Sequence, residues 1–156
     1  MSNLSAPTVL DCMVYAQALI NPASPAGRCV EIGIQGQFTI VLSQYVVSEI
    51  LELPQKLPPK FAITDARVAE FLEELLPAAH LCDTVPHVFE HPIDPDDSPY
   101  VDLALATGAN LIVSRDRHLL GLSDAGKPWS DEFRRKYPDF KVLTPELFLA
   151  SRPQVP

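Results

Sequence analysis

The stretch Ser98–Asp116, SPYVDLALATGANLIVSRD, decides how the chain is read. In its first half Val101, Ala104 and Leu105 share one helical face, and the run ends at Gly108, a natural helix terminator because glycine enters the left-handed conformation without steric cost. Its second half, NLIVSRD, is a short apolar, β-branched run that leads into Asp116. Helix, glycine, buried strand and aspartate make one unit of an alternating architecture, with a charged group where the strand leaves the core.

The same logic extends in both directions. TVLD (8–11) is a strand ending on Asp11, followed by a helix, MVYAQALI, that stops at Asn21 and Pro22. Ser24 and Pro25 form a good start for a second helix. FTIVLS (38–43) is a second strand, and Ser43 can cap the helix QYVVSEILEL, which Pro54, Pro58 and Pro59 interrupt. Thr64 opens TDARVAEFLEELL, with Pro77 as its stop, and AHLCDT (79–84) is a third strand. After Asp116 come a short helix, RHLLGL, a polar region with a helix at WSDEFRRKY, and a last strand and helix in KVLTPELFLA. Strand and helix alternate throughout, which predicts an α/β fold, a central parallel sheet covered on both faces in a three-layer sandwich. One domain over residues 1–150 is expected, with 151–156 (SRPQVP) as a frayed tail. Sites in such folds form beyond the carboxyl ends of the strands, where Asp11 and Asp116 lie.

Composition narrows the options. A chain of 156 residues, 47% hydrophobic and 21% charged, can bury a core without staples. No run of about 18 apolar residues would span a membrane, and the start MSNLSAPTVLD lacks signal-peptide features. Cys12, Cys29 and Cys82 are odd in number and far apart, which fits a reducing, cytoplasmic setting. The net charge of −8 argues against a dedicated nucleic-acid binder, although seven of the 12 Lys and Arg residues fall between 115 and 141.

Acidic residues carry the functional reading. In HPIDPDDSPYVD (91–102), Asp97 is one turn before Val101 and shares its inward face, Asp102 is off that face and is expected toward solvent, and Asp94 and Asp96 line the approach. Glu49 flanks a stripe of Val46, Val47, Ile50, Leu51 and Leu53. Each acid has a plain structural reading beside the functional one: Asp11, Asp96 or Asp97, and Asp116 as helix caps, and Glu49 as a boundary glutamate with a solvated head. Together, Asp11, Glu49, Asp97 and Asp116 converge on one edge of the sheet. Carboxylates held close raise one another's pKa, and a hard cation relieves that repulsion. Oxygen ligands without a His or Cys cluster suit Mg²⁺ or Mn²⁺ over zinc.

Competing motifs are weaker. HVFEH (87–91) fits H-x-x-E-H, but Pro86 and Pro92 leave it little more than one helical turn, and His80 and His118 lack partners at ligand spacing. The run from Asp94 has Pro99 and Leu105 where a calcium loop needs Gly and Glu. No glycine-rich phosphate cradle is present, and an Asp-nucleophile phosphatase would want an acid where Met13 stands.

The ordered set Asp11, Glu49, Asp97, Asp116, carried by VLD, LSQYVVSEIL, DPDDSPYVDLALATGANLIVSRDRHLL and VLTPELFLA, resembles the PIN-domain nucleases, and within them the toxins related to VapC. The resemblance covers about residues 7–150. It implies strand order 3-2-1-4-5 and a Mg²⁺- or Mn²⁺-dependent ribonuclease that acts on RNA. It also implies a homodimer, a partner antitoxin, and the four acids as catalytic and metal-holding residues. Ser114 matches the family's Ser/Thr before the last Asp, and Arg115, Arg117 and His118 beside it are candidates for substrate phosphate contacts, with Arg134, Arg135 and Lys136 further out. One departure stands at Cys12-Met13, where the family commonly has Thr or Ser followed by Asn. It opens a second reading, a catalytically silent RNA- or protein-binding module.

Overall fold

The computed structural model describes residues 4–152. Five short strands, β1 (Pro7–Leu10), β2 (Thr39–Ser43), β3 (His80–Cys82), β4 (Leu111–Val113) and β5 (Lys141–Leu143), form one parallel sheet in the order β3-β2-β1-β4-β5. The predicted α/β architecture and strand order are both observed. Strand β1 lies at the centre, in register with β2 through Pro7 with Thr39 and with β4 through Val9 with Ile112. Val9, Leu10, Ile40, Leu42, Ile112 and Val113 are fully buried, as expected of strands covered on both faces.

Nine helices connect the strands among the described residues: α1 (Cys12–Ile20), α2 (Pro25–Ile34), α3 (Gln44–Leu51), α4 (Leu53–Lys56), α5 (Asp65–Ala78), α6 (Ser98–Thr107), α7 (Arg117–Leu120), α8 (Asp131–Lys136) and α9 (Pro145–Ser151). Their starts follow the sequence. Ser24, Ser43, Thr64 and Thr144 each accept a hydrogen bond from a backbone amide three residues on, at 3.1–3.2 Å. Gly108 closes α6 at φ 73°. Helices α1 and α2 pack so tightly at their connection that a Cβ on Gly27 would lie 2.2 Å from the Pro22 carbonyl oxygen.

The sequence reading needs three corrections here. QYVVSEILEL is not one helix: α3 ends at Leu51, which is exposed, and α4 restarts at Leu53 with Pro54 in its first turn, where a missing N–H costs nothing. Of the expected stripe, Val46, Ile50 and Leu53 are buried, while Val47 is only partly so. Asp102 is not directed to solvent. It is 4% exposed, and its Oδ1 accepts from the amides of Val88 (3.0 Å) and Phe89 (2.9 Å) while Oδ2 meets His87 Nδ1 at 2.7 Å. The irregular segment 83–94 folds back over the outer face of α6, and Asp102 satisfies its backbone. Of the expected tail, 153–156 lies outside the described residues, but Ser151 ends α9. Arg152 is anchored, with its guanidinium donating to the Gln37 carbonyl and stacked over Phe38 and Phe148.

Candidate active site

The strand order reverses between β1 and β4, and the polar residues gather at the carboxyl ends of these two strands. Asp11 ends β1 and caps α1: its Oδ1 accepts from the amides of Met13 (2.7 Å) and Val14 (3.4 Å). Its Oδ2 accepts from the Ser114 hydroxyl, whose oxygen in turn accepts from the Asp116 amide at 2.9 Å. Asp116 ends the β4 segment and caps α7 through the amides of His118 (2.8 Å) and Leu119 (3.3 Å). The capping readings of Asp11 and Asp116 therefore hold, and they coexist with a place in the cleft.

Asp97 is different. It stands at the start of α6 but its side chain makes no capping bond, the local turn being held by Asp94, whose Oδ1 accepts from the Asp96 amide at 3.2 Å. Asp97 is 8% exposed, and its Oδ2 is buried without a hydrogen-bond partner. Burial, then the charges of Asp116 and Asp94, push its carboxyl up to about 7. Burial also raises Asp11, against the three hydrogen bonds that it accepts.

Asp11, Glu49, Asp97 and Asp116 line one cleft of about 690 Å³, together with Asp96, Tyr45, Tyr100, Lys56 and Arg115. Five carboxylates thus face two cations, and both cations are already paired. Lys56 Nζ lies 2.9 Å from both Glu49 and Glu52. Arg115 forms a two-pronged ion pair with Glu146 and donates to Gln17. Among the described residues no Lys or Arg pairs with Asp97.

The other expected substrate contacts are placed as follows. Ser114 is fully buried with its hydroxyl engaged inside the cluster, so it orients Asp11 and does not face solvent. Arg117 is exposed and follows Asp116 at the start of α7. His118 lies partly buried, its Nδ1 3.3 Å from Asp94 Oδ2. Arg134 pairs with Asp131 and is held in α8. Met13 is half-exposed and lines the cleft, where its side chain offers no hydrogen-bond donor to the carboxylates. Neighbouring Cys12 is buried, and burial with Glu49 and Asp11 pushes its thiol up to about 12, so it is no nucleophile at neutral pH. HVFEH is irregular backbone, and the His91 ring is taken up by the His118 carbonyl and the amides of Ile93 and Asp94.

Sequence reasoning missed Lys56, seven residues after Glu49. That spacing is two helical turns and could have been read as a pair, had the proline at 54 not suggested a break. It also missed the meeting of Asp94 with His118, which no spacing signals because a loop residue meets the first turn of α7 from 24 residues away.

No curated protein matches the chain. A chain of the VapBC2 complex from Rickettsia felis, solved bound to a DNA fragment from its promoter, is similar in fold: TM-score 0.55, 15% identity, covering 88% of this chain and 98% of that one. The model of the PIN domain matches residues 7–118. The chain belongs to the PIN domain family.

Proposed function

We propose that the protein is a divalent-metal-dependent ribonuclease of the VapC type, the toxin of a toxin–antitoxin pair. The observation that carries this reading is Asp97: a buried carboxylate with an unpartnered oxygen, surrounded by other carboxylates, in a cleft whose two cations are paired with glutamates. Such a group is costly unless something positive joins it. An all-oxygen donor set from Asp11, Glu49, Asp97 and Asp116 fits Mg²⁺ or Mn²⁺. A bound ion would supply an acidified water and charge shielding for a phosphodiester. The chain's own residues do the rest. Ser114 fixes the Asp11 carboxylate, and Arg117 offers a charge to substrate phosphate, as Arg115 would on releasing Glu146. The VapBC2 likeness supports an antitoxin partner, and the family resemblance supports an RNA substrate, a homodimer and a cytoplasmic setting. No helix among the described residues is long and apolar enough to cross a membrane.

The test is cleavage of structured and single-stranded RNA in Mg²⁺, Mn²⁺ or EDTA. The expected result is cutting that EDTA abolishes and that Asp11→Asn and Asp97→Asn each reduce by about 10²-fold or more. Cutting indifferent to all three would overturn it. The second reading, a silent binding module, is favoured by Met13 and the net charge of −8. It predicts RNA retention that is equal with and without metal, and no products.

A further inference from the structure

A second cavity, of about 330 Å³, opens beside the acidic cleft at the carboxyl ends of β2 and β3, whose last residues, Ser43 and Cys82, are paired in the sheet. Its volume falls within the range of small-ligand pockets. Tyr45 borders both this cavity and the cleft. The residue is 39% exposed, and its ring meets that of Tyr100 in a perpendicular contact, centroids 5.9 Å apart and planes at 83°. Such a contact leaves at least one face of the Tyr45 ring uncovered by Tyr100. Tyr100 is itself anchored, its hydroxyl accepting from the Cys12 amide at 3.3 Å. The opposite wall is also held. His87 bridges Asp102 (2.7 Å) and Glu90 (2.9 Å), and the other Asp102 oxygen accepts from the amides of Val88 and Phe89. The Ser43 hydroxyl accepts from the Val46 amide, and the Cys82 thiol donates to the Thr84 carbonyl. Of the polar side chains that line the cavity, this leaves Gln44 and Asp83, both exposed, to meet a ligand.

No Lys or Arg lines this cavity, whereas Asp83 and Asp102 do, and Glu90 stands behind His87. Phosphate is repelled there, and an uncharged base is not. We propose that the cavity receives a nucleobase next to the cleaved phosphodiester, stacked on Tyr45 and read by Asp83 and Gln44, and that it prefers guanine. The inference rests on the ribonuclease reading of the cleft for the identity of its ligand as RNA. Single-stranded RNA is read in this manner, an unstacked base lying on an aromatic ring and hydrogen-bonding through its Watson–Crick edge. A carboxylate only accepts, so it favours an edge with neighbouring N–H donors. Guanine presents two side by side, N1–H and the 2-amino group, and its O6 can accept from the Gln44 amide. Adenine and cytosine set one amino group beside an acceptor nitrogen. Uracil sets one N–H between two carbonyls, which a carboxylate repels.

The test has two arms, both on the full chain. In the first, guanosine, adenosine, cytidine and uridine, which carry no phosphate, are titrated in EDTA and followed by NMR at the Tyr45 ring, assigned through Tyr45→Phe. Guanosine is expected to shift the Tyr45 signals and to bind about tenfold more tightly than uridine. This comparison needs no variant. Tyr45→Ala should weaken guanosine binding about tenfold, Tyr45→Phe should retain it because the ring is kept, and Asp83→Asn should erase the preference, each with an unchanged circular dichroism spectrum. In the second arm, oligouridine with a single guanosine is compared with plain oligouridine as a substrate in Mn²⁺. The guanosine should raise kcat/KM about tenfold in wild type and not in Asp83→Asn. Equal binding of the four nucleosides, Tyr45 signals that none of them moves, or a preference that survives Asp83→Asn overturns the proposal. The two readings fail separately. Guanosine bound at Tyr45 with no RNA cut strikes the nuclease, and EDTA-sensitive cleavage indifferent to guanosine and to Asp83→Asn strikes this subsite.

Discussion

Asp11 and Ser114, 103 residues apart, meet in a buried hydrogen bond that ties the ends of the two central strands together. The hydroxyl is both donor to Asp11 and acceptor for the Asp116 amide, so one small side chain holds the Asp11 carboxylate and the Asp116 backbone. Ser114→Ala should cost about 1–3 kcal/mol, because it strands a buried carboxylate oxygen and an amide. Chemical denaturation measures this. RNA cleavage, if present, should fall at least tenfold even in molecules that remain folded.

The state of Asp97 predicts a pH dependence for the metal-free protein. Its carboxyl is raised from 3.8 to about 7, so the native state holds a proton that the unfolded chain has released. Its stabilising contribution is complete below about pH 4 and is lost as pH rises through 7. Asp97→Asn should therefore raise the melting temperature of the EDTA-treated protein at pH 8 and leave it nearly unchanged at pH 4. A shift of equal size at both pH values would contradict the assignment. Added Mn²⁺ should remove the wild-type disadvantage.

Asp102 gives a prediction about order and not about chemistry. Asp102→Ala leaves the amides of Val88 and Phe89 without their acceptor and frees His87. A loss on the order of 2–3 kcal/mol is expected, with faster hydrogen exchange confined first to residues 83–94. Exchange that rises uniformly over the sheet would mean that the segment is not a separate unit.

Lys56 competes for Glu49. Removing an exposed ion pair changes free energies by a few tenths to about 1 kcal/mol, so Lys56→Met should tighten Mn²⁺ binding about two- to fivefold. Weaker binding in this variant would show that Lys56 assists the site instead of occupying its ligand.

Gly27→Ala tests the packing of α1 on α2. The added methyl meets a backbone carbonyl, which cannot swing aside as a side chain would, so a destabilisation of about 1–3 kcal/mol is expected in denaturant titrations.

Much of this was legible in advance because the signals are local. Gly108, Ser24, Ser43 and Thr64 act on their own neighbours, and the apolar runs at 8–10, 39–42 and 111–113 have no other stable use. The convergence of Asp11 and Asp116 followed from topology, since parallel strands bring their carboxyl ends to one edge. What stayed hidden depends on loops. Asp102 sits off the sheet-facing side of α6, and only the path of 83–94 across that side buries it. The break between α3 and α4 turns on Pro54 opening a helix instead of merely closing one. Arg115 looks free in sequence, and its capture by Glu146 needs the position of α9.

Asp11 and Asp116 each give one oxygen to a helix start while the carboxylate also borders the cleft, the second Asp11 oxygen accepting from Ser114. An asparagine would keep the first duty and drop the second. A single base change could thus remove one charge from the cleft while sparing the architecture, which makes a fully folded descendant without the proposed chemistry easy for evolution to reach and equally easy to make at the bench.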